Sequence, residues 1–83
     1  MKILYFAWLR SRTGIGEENV DLPENVRTVG DLVNWLKARG SNYETAFADM
    51  RAVRAAVNQT YVPFDQVLSN DDEVAFFPPV TGG

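Results

Sequence analysis

The chain of 83 residues contains no cysteine and no histidine. These absences exclude a thiol nucleophile, a disulfide, a Cys/His zinc site and an imidazole general base. With no cysteine to read, the redox state of the compartment leaves no mark in the sequence. Long apolar runs are missing as well: the longest, Ile3 to Leu9, falls far short of a membrane span. Lys2 ahead of that run gives it the outline of a signal peptide. No small-residue cleavage site follows, however, and Arg10 and Arg12 come directly after, so a cytoplasmic location is expected. Excess positive charge is also lacking. A net charge of −3 and a pI of about 4.7 argue against nucleic acid or an anionic membrane as partner, since both require a basic face. An acidic surface suits a basic patch on another protein instead.

What is present is enough for one small core. The sequence is 46% apolar, 12% aromatic and 23% charged, which is the balance of a single folded domain rather than a disordered segment. No linker, repeat or low-complexity stretch interrupts it.

Lys2 to Leu9 is dense in β-formers and reads as a strand apolar on both faces. Ser11 to Gly16, with two glycines, reads as a turn, and Glu18 to Leu22 alternates as a second strand that Pro23 ends. Thr28-Val29-Gly30-Asp31 resembles a capping box with Asp in place of Glu. Val29, Leu32, Val33 and Leu36 then mark one helical face, Lys37 and Arg39 suit its last turn, and Gly40 suits the C′ position. Tyr43, Ala46, Phe47 and Met50 suggest a short second helical segment within 41–50. Ala52 to Val57 reads as a strand, Asn58-Gln59 as a two-residue turn into Thr60 to Val62, and Glu73 to Phe77 as the last strand. The first and last strands are the most apolar and are expected side by side at the sheet centre. The pattern predicts an α+β roll of the ubiquitin-like, β-grasp type: a mixed sheet of four to five strands with one main helix on one face. The domain is expected over 1–77, with 78–83 as an extended tail.

Strand alternation assigns faces. Ile3, Tyr5, Ala7 and Leu9 share one face with Val74 and Phe76; Leu4, Phe6, Trp8 and Arg10 share the other with Ala75 and Phe77. If the helix covers the first set, the second is left as an exposed aromatic cluster, the signature of a binding surface. Half-burial of one such ring by a partner is worth roughly 2–3 kcal/mol. Part of the set would instead be core if the 41–50 segment folded over this second face.

The sequence ends Pro78-Pro79-Val80-Thr81-Gly82-Gly83. The proline pair removes two backbone donors and fixes φ, so the tail is expected to leave the sheet extended, with a reach of about 20 Å over its six residues. Gly82 and Gly83 lack Cβ and can thread a narrow channel, and a glycine carboxylate is unhindered to attack. It is ionised above a pKa of about 3.5 and needs activation, for instance as an acyl-adenylate. A diglycine by itself more often marks an idle terminus; the proline spacer and the β-grasp pattern together turn the reading toward function. Other candidates carry less. Asp71-Asp72-Glu73 and Glu17-Glu18 read as solvated acidic runs, Gly14-x-Gly16 lacks a dinucleotide-binding context, and Ser11 and Thr13 have no base partner.

Leu4-Tyr5-Phe6-Ala7-x-Leu9-Arg10, Ala55-Ala56-Val57-Asn58-Gln59 and Asp72-Glu73-Val74-Ala75-Phe76-Phe77-Pro78-Pro79-Val80-Thr81-Gly82-Gly83 together resemble the MoaD family, the small sulfur-carrier subunits of molybdopterin synthase. The resemblance implies a β-grasp fold and a non-catalytic subunit of a heteromeric sulfurtransferase. It implies that a MoeB-like enzyme uses ATP to adenylate Gly83, that sulfur replaces an oxygen to give a thiocarboxylate, and that Gly82 gives slim access. The tail would then enter a MoaE-like large subunit, in a heterotetramer, and donate sulfur to build the molybdopterin dithiolene from precursor Z. This chain would bind no cofactor, metal, nucleic acid or membrane. The family's apolar interface positions correspond to Phe6, Arg10, Tyr61 and Phe77; with the face assignment and the tail, the expected partner interface is Phe6, Trp8, Arg10, Tyr61, Phe77, Pro78 and Pro79. Asp71 stands where family members often carry Gly, and Trp8 where polar residues are common. A thiamine-pathway carrier of the ThiS type and a ubiquitin-like protein modifier are the rival readings of the same tail.

Overall fold

Thr28 opens the main helix as its side chain predicts. In the computed structural model, which describes residues 1–79, the Thr28 hydroxyl accepts from the Asp31 N–H (3.1 Å) and the Asp31 carboxylate accepts from the Thr28 N–H (3.2 Å), completing the reciprocal cap. The same carboxylate also accepts from the Arg27 N–H (3.1 Å). These backbone donors, Arg27 first, hold the Asp31 carboxyl below its ordinary range. Helix α2 runs Val29–Lys37 and buries Val29, Leu32, Val33 and Leu36. It ends in right-handed backbone at Ala38, and Gly40 is extended (φ 170°), so the left-handed C′ role expected of Gly40 is not used. Gly40 instead precedes α3, Ser41–Ala46.

Five strands form one sheet: β1 Lys2–Tyr5, β2 Glu17–Asn19, β3 Arg54–Val57, β4 Thr60–Val62 and β5 Glu73–Phe77, in the order β2-β1-β5-β3-β4. The two most apolar strands, β1 and β5, are parallel neighbours at the centre, with Ile3 opposite Val74 and Tyr5 opposite Phe76. Asn58 and Gln59, at φ 50° and 70°, make the two-residue turn between β3 and β4. This is the β-grasp arrangement expected from the pattern. Two boundaries are shorter than expected: the second strand stops at Asn19 rather than Leu22, and a 3₁₀ turn, Met50–Ala52, replaces the start of the Ala52–Val57 strand.

The larger correction lies at 6–13. The chain leaves β1 after Tyr5, and Trp8–Thr13 is a short helix, α1, not strand followed by turn. The switch occurs at Ala7, whose φ of 55° and ψ of −132° lie in a region that glycine favours. Leu9 and Thr13, four residues apart, are buried on one side of α1, and Gly14 closes it in left-handed backbone (φ 86°) with its N–H on the Arg10 carbonyl (2.9 Å). Replacing Ala7 by Gly relieves the strained φ at some cost in chain entropy. Ala7→Gly is therefore expected to stabilise by about 1 kcal/mol, a rise in Tm of about 4–8 °C. A lower Tm in thermal unfolding would show that Ala7 carries no strain there.

The core forms between the sheet and the helices. Ile3, Tyr5, Val74 and Phe76 project from the sheet onto Leu32, Leu36 and Phe47. The Phe76 ring meets Phe47 edge-on at 5.0 Å and stacks on Tyr5 at 6.2 Å. Because α3 packs against α1 and α2 and delivers Tyr43 and Phe47 to this side, segment 41–50 does not cover the other face of the sheet. Glu18 also points inward. Far from being a solvated acid, its carboxylate accepts from the hydroxyls of Tyr5 (2.8 Å) and Tyr43 (2.9 Å) and pairs with the Arg39 guanidinium (2.7 Å). Burial first, and then the bond to Glu18, raise both phenols above their ordinary pKa.

Candidate functional site

The face left open by the helices carries Phe6 and Phe77, two of the three aromatic residues that alternation assigned to it, together with Tyr61. Phe77 lies in register with Arg54 across β3–β5, and the Phe6 N–H donates to the Phe76 carbonyl (3.0 Å), which brings Phe6 beside Phe77 at the end of the central pair. The next row in from this edge is Leu4, Ala75, Ala56 and Tyr61, set side by side by the registers of β1–β5, β5–β3 and β3–β4. Ala75 and Ala56 make a low floor, and the larger side chains stand around it. Tyr61 is 72% exposed and Phe6 49%, while Phe77 is half-buried and rests its ring on Tyr61 at 5.0 Å. The surface is apolar and ordered by its own strands.

Phe6, Tyr61 and Phe77 therefore converge as expected, and Arg10 joins them from another direction. It sits on α1, exposed, and its guanidinium lies over Gly16, where a Cβ would come within 3.0 Å of Cζ. Arg10 lines a hollow with Leu4, Phe6, Ile15 and Glu17. Trp8 does not belong to this face. Strand parity placed it there, but the turn at Ala7 carries it onto α1, half-buried against the core, with the Arg12 guanidinium 4.6 Å from its ring. Pro78 and Pro79, both half-buried, follow directly on β5 at the edge formed by Phe6 and Phe77. Gly82 and Gly83 lie outside the described residues.

Other candidates dissolve into structure. The Asp72 carboxylate accepts from the Ser69 N–H (2.8 Å) and the Asn58 amide (3.0 Å), so it orders the turn before β5. Asp71 has negative φ, so no glycine is required there for backbone reasons. Among the described residues no group of three or more acidic side chains could hold a metal ion, and no helix is long and apolar enough to cross a membrane. Two contributors escaped sequence reasoning. Arg54 shares a face with Phe77 only once the β3–β5 register is known, and Glu18 looks like any strand-edge acid until Tyr5, Tyr43 and Arg39 are seen around it.

Comparison with known proteins identifies the family and agrees with the fold. A model of the ThiS family matches residues 3–83. The molybdopterin synthase sulfur carrier subunit of Escherichia coli is 41% identical over the whole chain and 99% of that protein; the one from Mycobacterium tuberculosis is 36% identical, over 100% of this chain and 96% of that protein. Among solved structures, a putative molybdopterin converting factor, subunit 1, from Pyrococcus furiosus superposes with a TM-score of 0.75 at 38% identity over 95% of both chains. Small archaeal modifier protein 1 from Haloferax volcanii superposes at 0.78 with 26% identity, over 100% of this chain and 98% of its own. By these matches the chain belongs to the ThiS family, among the molybdopterin synthase sulfur carrier subunits.

Proposed function

We propose that this protein carries sulfur for molybdenum cofactor biosynthesis on the carboxyl group of Gly83. The observation that carries the reading is full-length similarity to sulfur carrier subunits, with the family match running through Gly83. The open aromatic face at the root of the tail supports it, because a donor that works inside another protein needs a docking surface next to its reactive end. In this reading a MoeB-like enzyme transfers the AMP group of ATP to the Gly83 carboxylate, releasing pyrophosphate. Sulfur delivered at the sulfide level then attacks the acyl carbon and displaces AMP, leaving a thiocarboxylate. The chain binds no cofactor of its own. Docked through Phe6, Arg10, Tyr61 and Phe77 on a MoaE-like large subunit, in a heterotetrameric synthase, it supplies the sulfur that forms the molybdopterin dithiolene from precursor Z. The catalytic groups belong to the large subunit, and this chain is the sulfur-donating part of the sulfurtransferase.

Pro78 and Pro79 add a positioning role. Neither offers an N–H, so the segment after Phe77 cannot extend the β5 ladder, and the tail stays available for a channel in the partner. The test is the intact mass of the protein after co-expression with the adenylating enzyme and a sulfur source. One oxygen exchanged for sulfur at Gly83 is the expected result; an unmodified mass under conditions where the enzyme consumes ATP would overturn it. The likeness to a small archaeal modifier protein favours a second reading, attachment to other proteins. Gly83 in isopeptide linkage to lysine, without a thiocarboxylate, would be its mark.

A further inference from the structure

The net charge of −3 conceals an uneven distribution. Strands β1 and β5 are parallel, so both begin at one end of the sheet and finish at the other, where Pro78 departs. The starting end gathers acids: Asp71, Asp72 and Glu73 lead into β5, and the loop holding Asp21 and Glu24 is tied beside them by the Leu22 N–H on the Asn70 side chain (2.8 Å). The finishing end gathers arginines. Arg10 lies on the β2 side of the Phe6–Phe77 pair, over Gly16, and Arg54 lies on its β3 side, in register with Phe77. The ion pairs among the described residues are Lys2–Glu17, Arg39–Glu18 and Arg51–Asp49, so neither Arg10 nor Arg54 has a carboxylate partner there.

Arg54 is also held in a definite attitude. Its Nη1 donates to the carbonyls of Arg51 (3.1 Å) and Val53 (3.0 Å), while Nε and Nη2 make no hydrogen bond among the described residues. Those two groups form the side-on fork that grips a carboxylate with two parallel bonds. Fixing Nη1 on the backbone removes much of the entropy a free arginine would lose on binding.

We propose that Arg54 is a partner-recognition residue: its free fork takes a carboxylate from an acidic rim on the protein that receives the tail, beside the apolar contact made by Phe6, Tyr61 and Phe77. The inference rests on the reading of this face as the docking surface. It gives that surface a sign opposite to the one suggested by the whole-chain charge. The acidic end lies about 13 Å away along β5, beyond the screening length of about 8 Å at physiological salt. Glu17, in the hollow beside Arg10, is paired with Lys2 (3.5 Å), so the uncompensated charges at the docking edge are those of Arg10 and Arg54, and the acidic far end turns the molecule tail-first toward a negative surface.

The experiment is stopped-flow association with the large subunit of the same synthase, at low and high salt, for the wild type, Arg54→Lys, Arg54→Glu and Phe77→Ala. Melting curves accompany each variant; Arg54 is exposed, and its variants are expected to melt like the wild type. Arg54→Glu is expected to slow association about tenfold or more at low salt, with the difference closing as salt rises. Arg54→Lys keeps the charge and loses the fork, so association stays fast and dissociation quickens. An Arg54→Glu variant that associates as fast as the wild type, or faster, overturns the acidic rim. If Phe77→Ala binds normally, the face itself is not the docking surface and both readings fall. If Phe77→Ala binds weakly while Arg54→Glu is unchanged, only the role of Arg54 falls.

Discussion

Phe76→Ala is expected to remove about 3–5 kcal/mol of stability, whereas its neighbour Phe77→Ala costs about 1 kcal/mol and is felt in binding instead. The two residues differ only in parity. Phe76 is fully buried, between the Phe47 and Tyr5 rings, and its truncation opens a cavity that the central strands cannot collapse into. A small domain holds about 5–15 kcal/mol in total, so this variant is left near the edge of folding. Phe77 rests on Tyr61 at the open face. Removing it deletes a central anchor of the proposed contact, and about 2 kcal/mol of lost docking energy corresponds to roughly a 30-fold weaker Kd. Urea unfolding together with titration against the large subunit distinguishes the two. The reverse ranking would mean that the open face is the core face.

Extending the chain by one glycine beyond Gly83 is expected to lower molybdopterin formation by more than about 100-fold. The added residue displaces the carboxylate by about 3.5 Å from where Gly83 would present it, and misplacement of a reacting group by about 1 Å already costs about that factor. Deleting Gly83 shifts the terminus by the same step in the other direction and is expected to abolish transfer. Neither change touches the core assembled between Ile3 and Phe76, so Tm stays at the wild-type value. Molybdopterin formed by the reconstituted synthase is the measurement. Undiminished product with either variant would exclude the terminal carboxyl as the sulfur site.

The extent to which this molecule was legible in its sequence follows from how far each signal reaches. Helix α2 declared itself because its cap and its periodic apolar residues are local and agree with each other. The pairing of β1 with β5 was legible because strands buried on the helix side and half-covered on the other are the most apolar. Phe6, Tyr61 and Phe77 could be placed on one face, by parity or by family resemblance, and they lie together. Trp8 was misplaced because parity assumes an unbroken strand, and nothing in the identity of an alanine at position 7 announces a φ of 55°. Helix α1, at six residues, is too short to display a period, and its apolar start merged with the strand before it. Arg54 and Glu18 act across strands and helices distant in sequence, so no local pattern points to either.

The central position of β5 bears on what happens when the tail is pulled. A partner that grips the segment beyond Phe77 and then releases or withdraws it loads the domain along the axis of β5. That strand is paired on both sides, with β1 over Glu73–Phe76 and with β3 over Val74–Phe77. Its hydrogen bonds lie across the strand axis, so the force shears two ladders together rather than peeling one bond at a time from an edge. A tail attached to β2 or β4 would unzip its strand from the margin. A load applied beyond Phe77 therefore meets the mechanically most resistant strand of the sheet, and the proposed cycles of insertion and extraction would leave the domain intact.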